Sequence, residues 1–150
     1  MAYLVRLVQA SSGKGSSKKE KKYSARSHDP PASPAGQEVV KEARRCWFGV
    51  PYSLGRVSRS RVDCSGLTTQ LYQKFDVSLP HDVEEQYGYG SRASKPAPGD
   101  LVFFKEHGRI TPVGIATGSG TVIDASSYCN KVTETRIRFI EGYVGAKRLL

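Results

Sequence analysis

The sequence has no apolar run that approaches the roughly 18 residues needed to span a bilayer. Its three cysteines, Cys46, Cys64 and Cys129, show neither the Cys-x-x-Cys nor the Cys/His spacing of a zinc site. We therefore expect no bound metal and no cofactor. The odd number of cysteines favours free thiols, and one disulfide between Cys46 and Cys129 stays open as an alternative.

The sequence shows no convincing export or phosphate-binding signal, and export by other means, or a sequence that is a fragment, stays open as an alternative. Arg6 interrupts the short apolar stretch at the N-terminus, and no basic region precedes it, so we predict no signal peptide. The stretch GKGSSKK at residues 13–19 lacks the GxxxxGK(S/T) spacing of a phosphate-binding loop. We therefore expect no nucleotide-phosphate site in this stretch.

Acidic residues are scarce, since 14 Asp and Glu stand against 23 Lys and Arg, for a net charge of +9. Residues 1–36 carry seven of these cations against only Glu20 and Asp29, and residues 11–36 are rich in Ser, Lys, Pro and Gly. Such a segment buries too little apolar surface to offset the entropy lost on ordering. We predict that residues 1–36 form a disordered basic tail, whose lysines are either solvated charge or attract polyanions.

Residues 37–150 are predicted to form one folded domain. Apolar residues at helical spacing predict one helix from Gln37 and a second from about Cys64 to Phe75, and a short third helix follows in LPHDVEEQYGYG. Alternating apolar residues and glycine turns then predict strands from PGDLVFF onward, including a hairpin at residues 110–127. Helices followed by antiparallel strands are the pattern of an α+β domain.

Cys64 stands at the predicted start of the second helix. The first turn of a helix has unpaired N–H groups and a partial positive charge, and both favour the thiolate over the thiol. We therefore expect the pKa of this cysteine to be lowered, which would make it a nucleophile. The alternative is that Cys64 is a small buried apolar residue, which is the usual fate of a free cysteine.

Six stretches of the sequence together resemble one protein family. They are PYSLG, DCSGL, LPH with Gln86, PGDLVFF, VGIATGSGTVIDASS and YVGAKRLL, and they occur in the family's order over about residues 37–150. The family is the NlpC family of cell-wall cysteine peptidases. The resemblance implies a papain-like α+β fold with the cysteine helix packed on an antiparallel sheet.

The resemblance also implies an activity and a place of action. Family members cut peptide bonds in the stem peptides of bacterial cell walls, often between D-glutamate and a diamino acid. We therefore expect stem peptides as the partner, an extracytoplasmic or cell-wall location, and a monomer. The basic tail would add contacts with anionic cell-wall polymers, and no specific nucleic acid is expected.

The family's motifs assign roles to individual positions of this chain. The resemblance implies that Cys64 is the nucleophile and that Tyr52, twelve residues upstream, helps to bind substrate. By the same resemblance Asp63, Ser65 and His81 line the substrate cleft. The helical side of the expected site is therefore complete.

The strand side of the expected site lacks its base. The family has a histidine directly before VGI, where this chain has Pro112, and a third polar residue twelve positions later, where it has Asp124. Proline has no side chain that accepts a proton. Of the three histidines, His28 lies in the tail, His107 lies five residues before Pro112, and His81 is expected at the rim of the cleft.

Three functions follow from these observations. The first is a cell-wall endopeptidase with a degenerate active site, and the second is a catalytically inactive relative that binds stem peptides. The third is a polyanion-binding module that acts through its tail. Fast labelling of the Cys64 thiol near neutral pH would favour the first two, and turnover of a muropeptide would separate them.

Overall fold

The computed structural model describes residues 33–150, so most of the predicted tail at residues 1–36 lies outside the described residues. Helix α1 spans Pro34–Cys46 and begins three residues before the predicted start at Gln37. Ser33 caps this helix by accepting a backbone N–H, and a proline occupies the first turn, where its missing N–H is not needed. The start is therefore set by capping residues rather than by the first apolar side chain.

Two further helices carry the motif residues. Helix α2 spans Cys64–Gln73, and its N-cap is Asp63. Helix α3 spans Val83–Gln86. Leu67 and Leu71, on one side of α2, are fully buried, as the spacing predicts.

Within residues 33–150, six antiparallel strands form one sheet. The strands are β1 (Ser91–Ala93), β2 (Leu101–Glu106), β3 (Arg109–Ala116), β4 (Thr121–Ser126), β5 (Lys131–Arg136) and β6 (Tyr143–Arg148). Their order across the sheet is β1-β6-β2-β3-β4-β5. The prediction of an α+β domain with an antiparallel sheet is therefore confirmed.

Apolar side chains cover both faces of the sheet. On one face Leu67 and Leu71 of α2 share a core with Phe103, Ile115 and Ile123. A second cluster lies on the other face and consists of Val102, Phe104, Ala116, Val122 and Ala146. The sheet is thus held from both sides, and α2 is fixed to its central strands.

The ladder between β3 and β4 is short. It contains two pairs, Ile115 with Ile123 and Ala116 with Val122, whereas β4 and β5 pair over six residues. A Cβ at Gly114 would lie 2.9 Å from the Cβ of Asp124, closer than Cβ atoms approach in practice, so the strands pass here only because Gly114 has no side chain. Before Gly114 the two strands part.

The expectations about membrane-spanning helices and about the cysteines can be compared with the structure. No helix within residues 33–150 is long and apolar enough to cross a membrane. All three cysteines are free, with Cys46 and Cys64 partly buried and Cys129 exposed. The alternative of a disulfide between Cys46 and Cys129 is therefore wrong.

Candidate active site

Cys64 is the first residue of α2 and lies where β3 and β4 part. Its thiol contacts the backbone N–H of Val113 on β3, and that N–H and the one of Ser65 stabilise the thiolate. Pro112 directly precedes Val113 and therefore lies beside the thiol. The structure thus brings the helix terminus and the strand with Pro112 together, as the motif order predicts.

The pKa of Cys64 differs from the expectation. Burial of the thiol raises the pKa to about 11, and the negative charges of Asp63 and Asp124 add to this effect. The N–H groups of Val113 and Ser65 lower the pKa by less. The prediction of a lowered pKa is therefore wrong, because the helix-terminus effect is outweighed by burial. Near neutral pH the sulfur is a thiol.

The carboxylate of Asp63 has its hydrogen-bond partners within the described part of the chain. Its carboxylate accepts hydrogen bonds from the N–H groups of Gly66 and Gly55, each at 2.8 Å. The Nε2 atom of His81 lies 2.8 Å from the same carboxylate. Asp63 therefore caps α2, holds the preceding loop against the helix and positions His81.

The buried side-chain amide of Gln86 supports the start of α2. Gln86 is fully buried, and its Nε2 donates to the carbonyl oxygens of Ser65 at 3.1 Å and Pro80 at 2.8 Å. Its Oε1 accepts from the Thr68 hydroxyl at 2.6 Å. Gln86 thus connects the first turn of α2 to the loop that carries His81. The motif comparison included Gln86 without a role, and these contacts supply one.

Tyr52 lies in the loop before α2, next to the residue that precedes β5. Its N–H donates to the Asn130 carbonyl at 2.9 Å, which ties the loop before α2 to the start of β5. Burial raises the pKa of the Tyr52 hydroxyl, and the charges of Cys64, Asp63 and Glu106 add to the rise. Tyr52 is therefore close to the thiol, as the twelve-residue spacing predicts.

Asp124 contrasts with Asp63, since it has no hydrogen bond to any side chain or backbone group within residues 33–150. It is 7% exposed, and burial is the cause that raises its pKa to about 7. It alternates with Ile123 and Ala125, which pack in the core beneath α2, so it points to the other face of the sheet. Its charge acts on Cys64 across the point where β3 and β4 part.

Thr133 lies beside Asp124 and was not predicted to be part of a site. The two residues are register partners on β4 and β5, so their side chains share a face. The Oγ1 atom of Thr133 is buried and has no hydrogen-bond partner among the described residues. No sequence signal marks this threonine, because its position follows from pairing between strands.

The described histidines do not take the place of the missing base. Pro112 lies in an irregular part of β3, where residues 111 and 112 together oppose Phe104 of β2. His81 is engaged by Asp63, and His107 is exposed in the turn between β2 and β3. Within residues 33–150 no group of three His, Cys, Asp or Glu side chains could hold a metal ion. The arrangement offers a thiol and backbone N–H groups, and the strand position next to the thiol has no imidazole.

Comparison with known proteins places these residues in one family. The model of the NlpC/P60 family matches residues 49–147. A probable endopeptidase of Haemophilus influenzae is 41% identical over 70 residues, covering 45% of this chain and 44% of that protein. A probable endopeptidase of Corynebacterium glutamicum is 34% identical over 112 residues, covering 73% of this chain and 52% of that protein. The chain thus spans about half the length of these relatives.

Solved structures agree in fold. A crystal structure of an NlpC/P60 family protein from Bacillus cereus has a TM-score of 0.72 at 27% identity, covering 81% of this chain and 42% of that one. The NlpC/p60 domain of the peptidoglycan hydrolase SagA has a TM-score of 0.68 at 28% identity, covering 76% of this chain and 98% of that one. The described domain therefore corresponds to nearly the whole of that hydrolase domain.

Proposed function

Because the chain belongs to the NlpC/P60 family, we propose that it is a peptidoglycan stem-peptide cysteine endopeptidase with a degenerate active site. It binds stem peptides and hydrolyses them slowly. One observation carries the proposal: Cys64 is retained at the helix terminus, while Pro112 occupies the adjacent strand position at which the family motif has its base. The fold is thus that of a hydrolase, and the proton carrier is missing.

The chemical consequence of Pro112 can be followed step by step. The Cys64 sulfur would attack the peptide carbonyl carbon, and the N–H groups of the first turn of α2 would stabilise the oxyanion. The thiol proton must leave, and the departing amine must gain a proton. An imidazole performs both transfers, and its loss typically costs about 10²–10⁴ in rate.

A second candidate is a catalytically inactive relative that binds stem peptides. The raised pKa of Cys64, about 11, favours it, because the thiol near neutral pH is a poor nucleophile. The residues expected to line the cleft are retained in this candidate, namely Tyr52, Asp63, Ser65 and His81. The two candidates differ in turnover and agree in binding.

Family resemblance also supports an extracytoplasmic or cell-wall location. Peptidoglycan lies outside the cytoplasm, and a probable endopeptidase NlpC of Escherichia coli is among the similar proteins. We propose that the domain acts as a monomer, and that the basic tail at residues 1–36 adds attraction to anionic cell-wall polymers. Removal of residues 1–36 would then weaken wall binding at low salt and leave stem-peptide binding unchanged.

The deciding experiment is digestion of purified muropeptides with separation of the products. The native protein is expected to give slow or no cleavage, and Pro112→His should raise the rate by at least about tenfold. The ring of the new histidine would find Asp124 near it, and that carboxylate could hold the second ring N–H. Pro112→Ala is the matched control, because it removes the proline without adding a base.

Two outcomes would contradict the proposal. Full activity of the native protein that His107→Ala abolishes would show that a relocated histidine is the base. A folded Pro112→His variant that binds muropeptides and cleaves none would favour the inactive binding relative.

A further inference from the structure

Two cations face each other at one edge of the sheet. Arg92 of β1 and Lys147 of β6 are directly opposite partners in the antiparallel ladder, so their side chains share a face and their Cβ atoms lie about 4.5–5.5 Å apart. Strand β1 is the outermost strand on this side of the sheet. Arg92 is exposed, whereas Lys147 is half-buried. Two positive side chains therefore lie side by side at an accessible edge.

Neither cation has an acidic partner within residues 33–150, since neither forms an ion pair or a side-chain hydrogen bond there. The next residue on β6 shows the contrast. Arg148 is paired with Asp100, whose carboxylate lies 2.8 Å from the guanidinium. The same end of β6 therefore has a carboxylate for Arg148 and none for Lys147.

Folding alone does not favour this pair. Like charges directly opposite each other in an antiparallel ladder are destabilising. Burial of the Lys147 ammonium lowers its pKa, and the charge of Arg92 lowers it further, so both surroundings disfavour the cation. The ring of Tyr87 offsets part of this cost, because the Lys147 ammonium lies 4.8 Å from the ring centre. A neutral residue at either position would avoid the repulsion.

Tyr87 also fixes the direction of the Lys147 side chain. Tyr87 follows helix α3, and its ring packs edge-on against Phe103 of β2 with the ring centres 5.0 Å apart. Because the ammonium lies over this anchored ring, the Lys147 side chain stays on the face that it shares with Arg92. The ammonium is therefore ordered before a ligand arrives, which reduces the entropy lost on binding.

The two cations select an anion that has several oxygens. A guanidinium donates two parallel hydrogen bonds to two oxygens of one anion, and an ammonium adds further donors as a compact charge. A carboxylate has two oxygens and one negative charge, so the guanidinium alone contacts both oxygens. A terminal phosphate has three free oxygens and a charge of about −1.5 to −2 at pH 7. The terminal phosphate therefore matches one guanidinium and one ammonium together.

We propose that Arg92 and Lys147 form a site that binds a terminal phosphate group at the β1–β6 edge of the sheet. Strand β2 lies between this edge and β3, the strand that contacts Cys64, so the site is separate from the candidate active site. A bound phosphate replaces the repulsion between the two cations with two attractions, and it stabilises the charged form of Lys147. The site does not depend on the proposed function, and it gives the domain a ligand besides the stem peptide.

Amide correlation spectra of the full chain, recorded in a buffer without phosphate, measure binding residue by residue. Inorganic phosphate and glycerol 3-phosphate should each give saturable shifts of the Arg92 and Lys147 amides. Acetate and dimethyl phosphate, at the same ionic strength, should bind at least about fivefold more weakly, because each has two free oxygens and a single charge. Tighter binding of glycerol 3-phosphate would assign the site to a phosphate on a larger molecule, and tighter binding of inorganic phosphate would assign it to the free ion.

Variants locate the site. Arg92→Gln and Lys147→Gln each remove one charge and should each weaken phosphate binding at least about tenfold. Lys95→Gln is the matched control, because it removes an exposed cation three residues from Arg92. This control should change the affinity for phosphate by less than about twofold.

A stability measurement separates a binding site from a general effect of charge. Without phosphate, Arg92→Gln should unfold at a higher urea concentration than the native protein, because the variant loses the repulsion with Lys147. With saturating phosphate, the native protein should gain stability and the variant should gain little, because a ligand stabilises only the folded protein that binds it. The order of stability of the two proteins therefore depends on phosphate.

Three outcomes would overturn the site. Equal binding of acetate and glycerol 3-phosphate would show attraction to charge without recognition of phosphate. Equal losses of affinity in Lys95→Gln and Arg92→Gln would show attraction to the basic protein as a whole. The absence of saturable shifts in β1 and β6 would show that no phosphate binds at this edge. Each of these results leaves stem-peptide binding at Cys64 unaffected.

Discussion

The candidate site has two sides, the helical wall at the start of α2 and the strand wall on β3–β5; each carries one buried aspartate, and the two aspartates differ in their hydrogen bonding. Asp63, on the helical wall, accepts from the N–H groups of Gly66 and Gly55 and contacts His81. Asp124, on the strand wall, has no hydrogen bond within the described part of the chain, and its pKa is raised to about 7 by burial. Both charges act on Cys64.

The difference in hydrogen bonding distinguishes side chains whose contacts stabilise the fold from side chains that are left to contact a ligand. In the helical wall the Asp63 carboxylate accepts hydrogen bonds from two backbone N–H groups, and the Ser65 carbonyl accepts one from the buried Gln86 amide. On the strand wall the Thr133 hydroxyl is buried without a hydrogen-bond partner among the described residues, and burial raises the pKa of Asp124. We therefore expect substitutions in the helical wall to reduce stability, and substitutions in the strand wall to raise stability or to change the reactivity of Cys64.

The largest expected effect concerns stability at Asp124. The folded protein keeps a proton on this carboxyl up to about pH 7, whereas the unfolded chain releases it near 3.8. The folded state thus binds more protons between these values, so stability falls as the pH rises from about 4 to about 7 and stays low above. Asp124→Asn removes this loss and should raise the free energy of unfolding by up to about 4 kcal/mol near pH 8.

Urea unfolding of both proteins at about pH 5 and pH 8 checks this. The difference in unfolding free energy between the native protein and Asp124→Asn should be smaller at pH 5 than at pH 8. The range below about 4.5 is avoided, because Glu42, whose pKa is lowered to about 2 by Lys74 and Arg45, loses its own contribution as the pH falls there. A constant difference between the two proteins at both pH values would contradict an unpartnered carboxyl at Asp124.

A smaller effect is expected at Asp63. Asp63→Ala removes the N-cap of α2 and leaves the Gly55 N–H without its acceptor, which should cost about 2 kcal/mol of unfolding free energy. Asp63→Asn keeps a capping oxygen, and asparagine caps helices about as well as aspartate, so it should cost clearly less. Equal losses in the two variants, measured by urea unfolding, would mean that capping is not the main role of Asp63.

The rate at which the Cys64 thiol is labelled should change about tenfold when Pro112 in the strand wall is replaced. In the native protein the thiol, with a pKa of about 11, should react slowly with a maleimide near neutral pH, and more slowly than the exposed Cys129. Pro112→His should speed labelling of Cys64 at least about tenfold, because an adjacent imidazole favours the thiolate. Mass spectrometry of the labelled peptides measures each cysteine separately. Equal acceleration by Pro112→Ala would assign the effect to the backbone instead.

The smallest effect is expected at His107. This residue is exposed in the turn between β2 and β3 and forms no hydrogen bond within residues 33–150. His107→Ala should therefore change muropeptide turnover by less than about twofold. It should change the free energy of unfolding by less than about 0.5 kcal/mol. Steady-state turnover and urea unfolding are the measurements. A loss of ten times or more in turnover would give His107 a catalytic role.

Local patterns predicted most of the fold. The apolar periodicity of α2, the glycine turn between β3 and β4, and the alternation from Val132 all correspond to observed elements. Strand β1 was missed, because three residues show no periodicity and its pairing with β6 is distant in sequence. The alternation in VTETRIRFI suggested a longer strand, but the chain turns into a 3-10 helix at Ile137–Phe139.

The assignment of site residues stays a prediction, while the electrostatics can be compared with the structure. The resemblance implies that Tyr52, Cys64 and Asp124 are neighbours, and the charges of Tyr52 and Asp124 do interact with Cys64. The direction of the Cys64 pKa shift was wrong, since the helix terminus is a local feature whereas burial depends on the whole fold. Thr133 and the contacts of Gln86 depend on pairing and packing that no short sequence window contains.

The parting of β3 and β4 before Gly114 gives the protein a spectroscopic probe of its own active site. The Val113 amide lies where β3 no longer pairs with β4, and it is directed to the sulfur of Cys64. In an amide correlation spectrum this single resonance should follow the charge of the sulfur, the ionisation of Asp124 and the arrival of a peptide carbonyl. No foreign group has to be attached to the ¹⁵N-labelled protein, because the backbone itself carries the reporter.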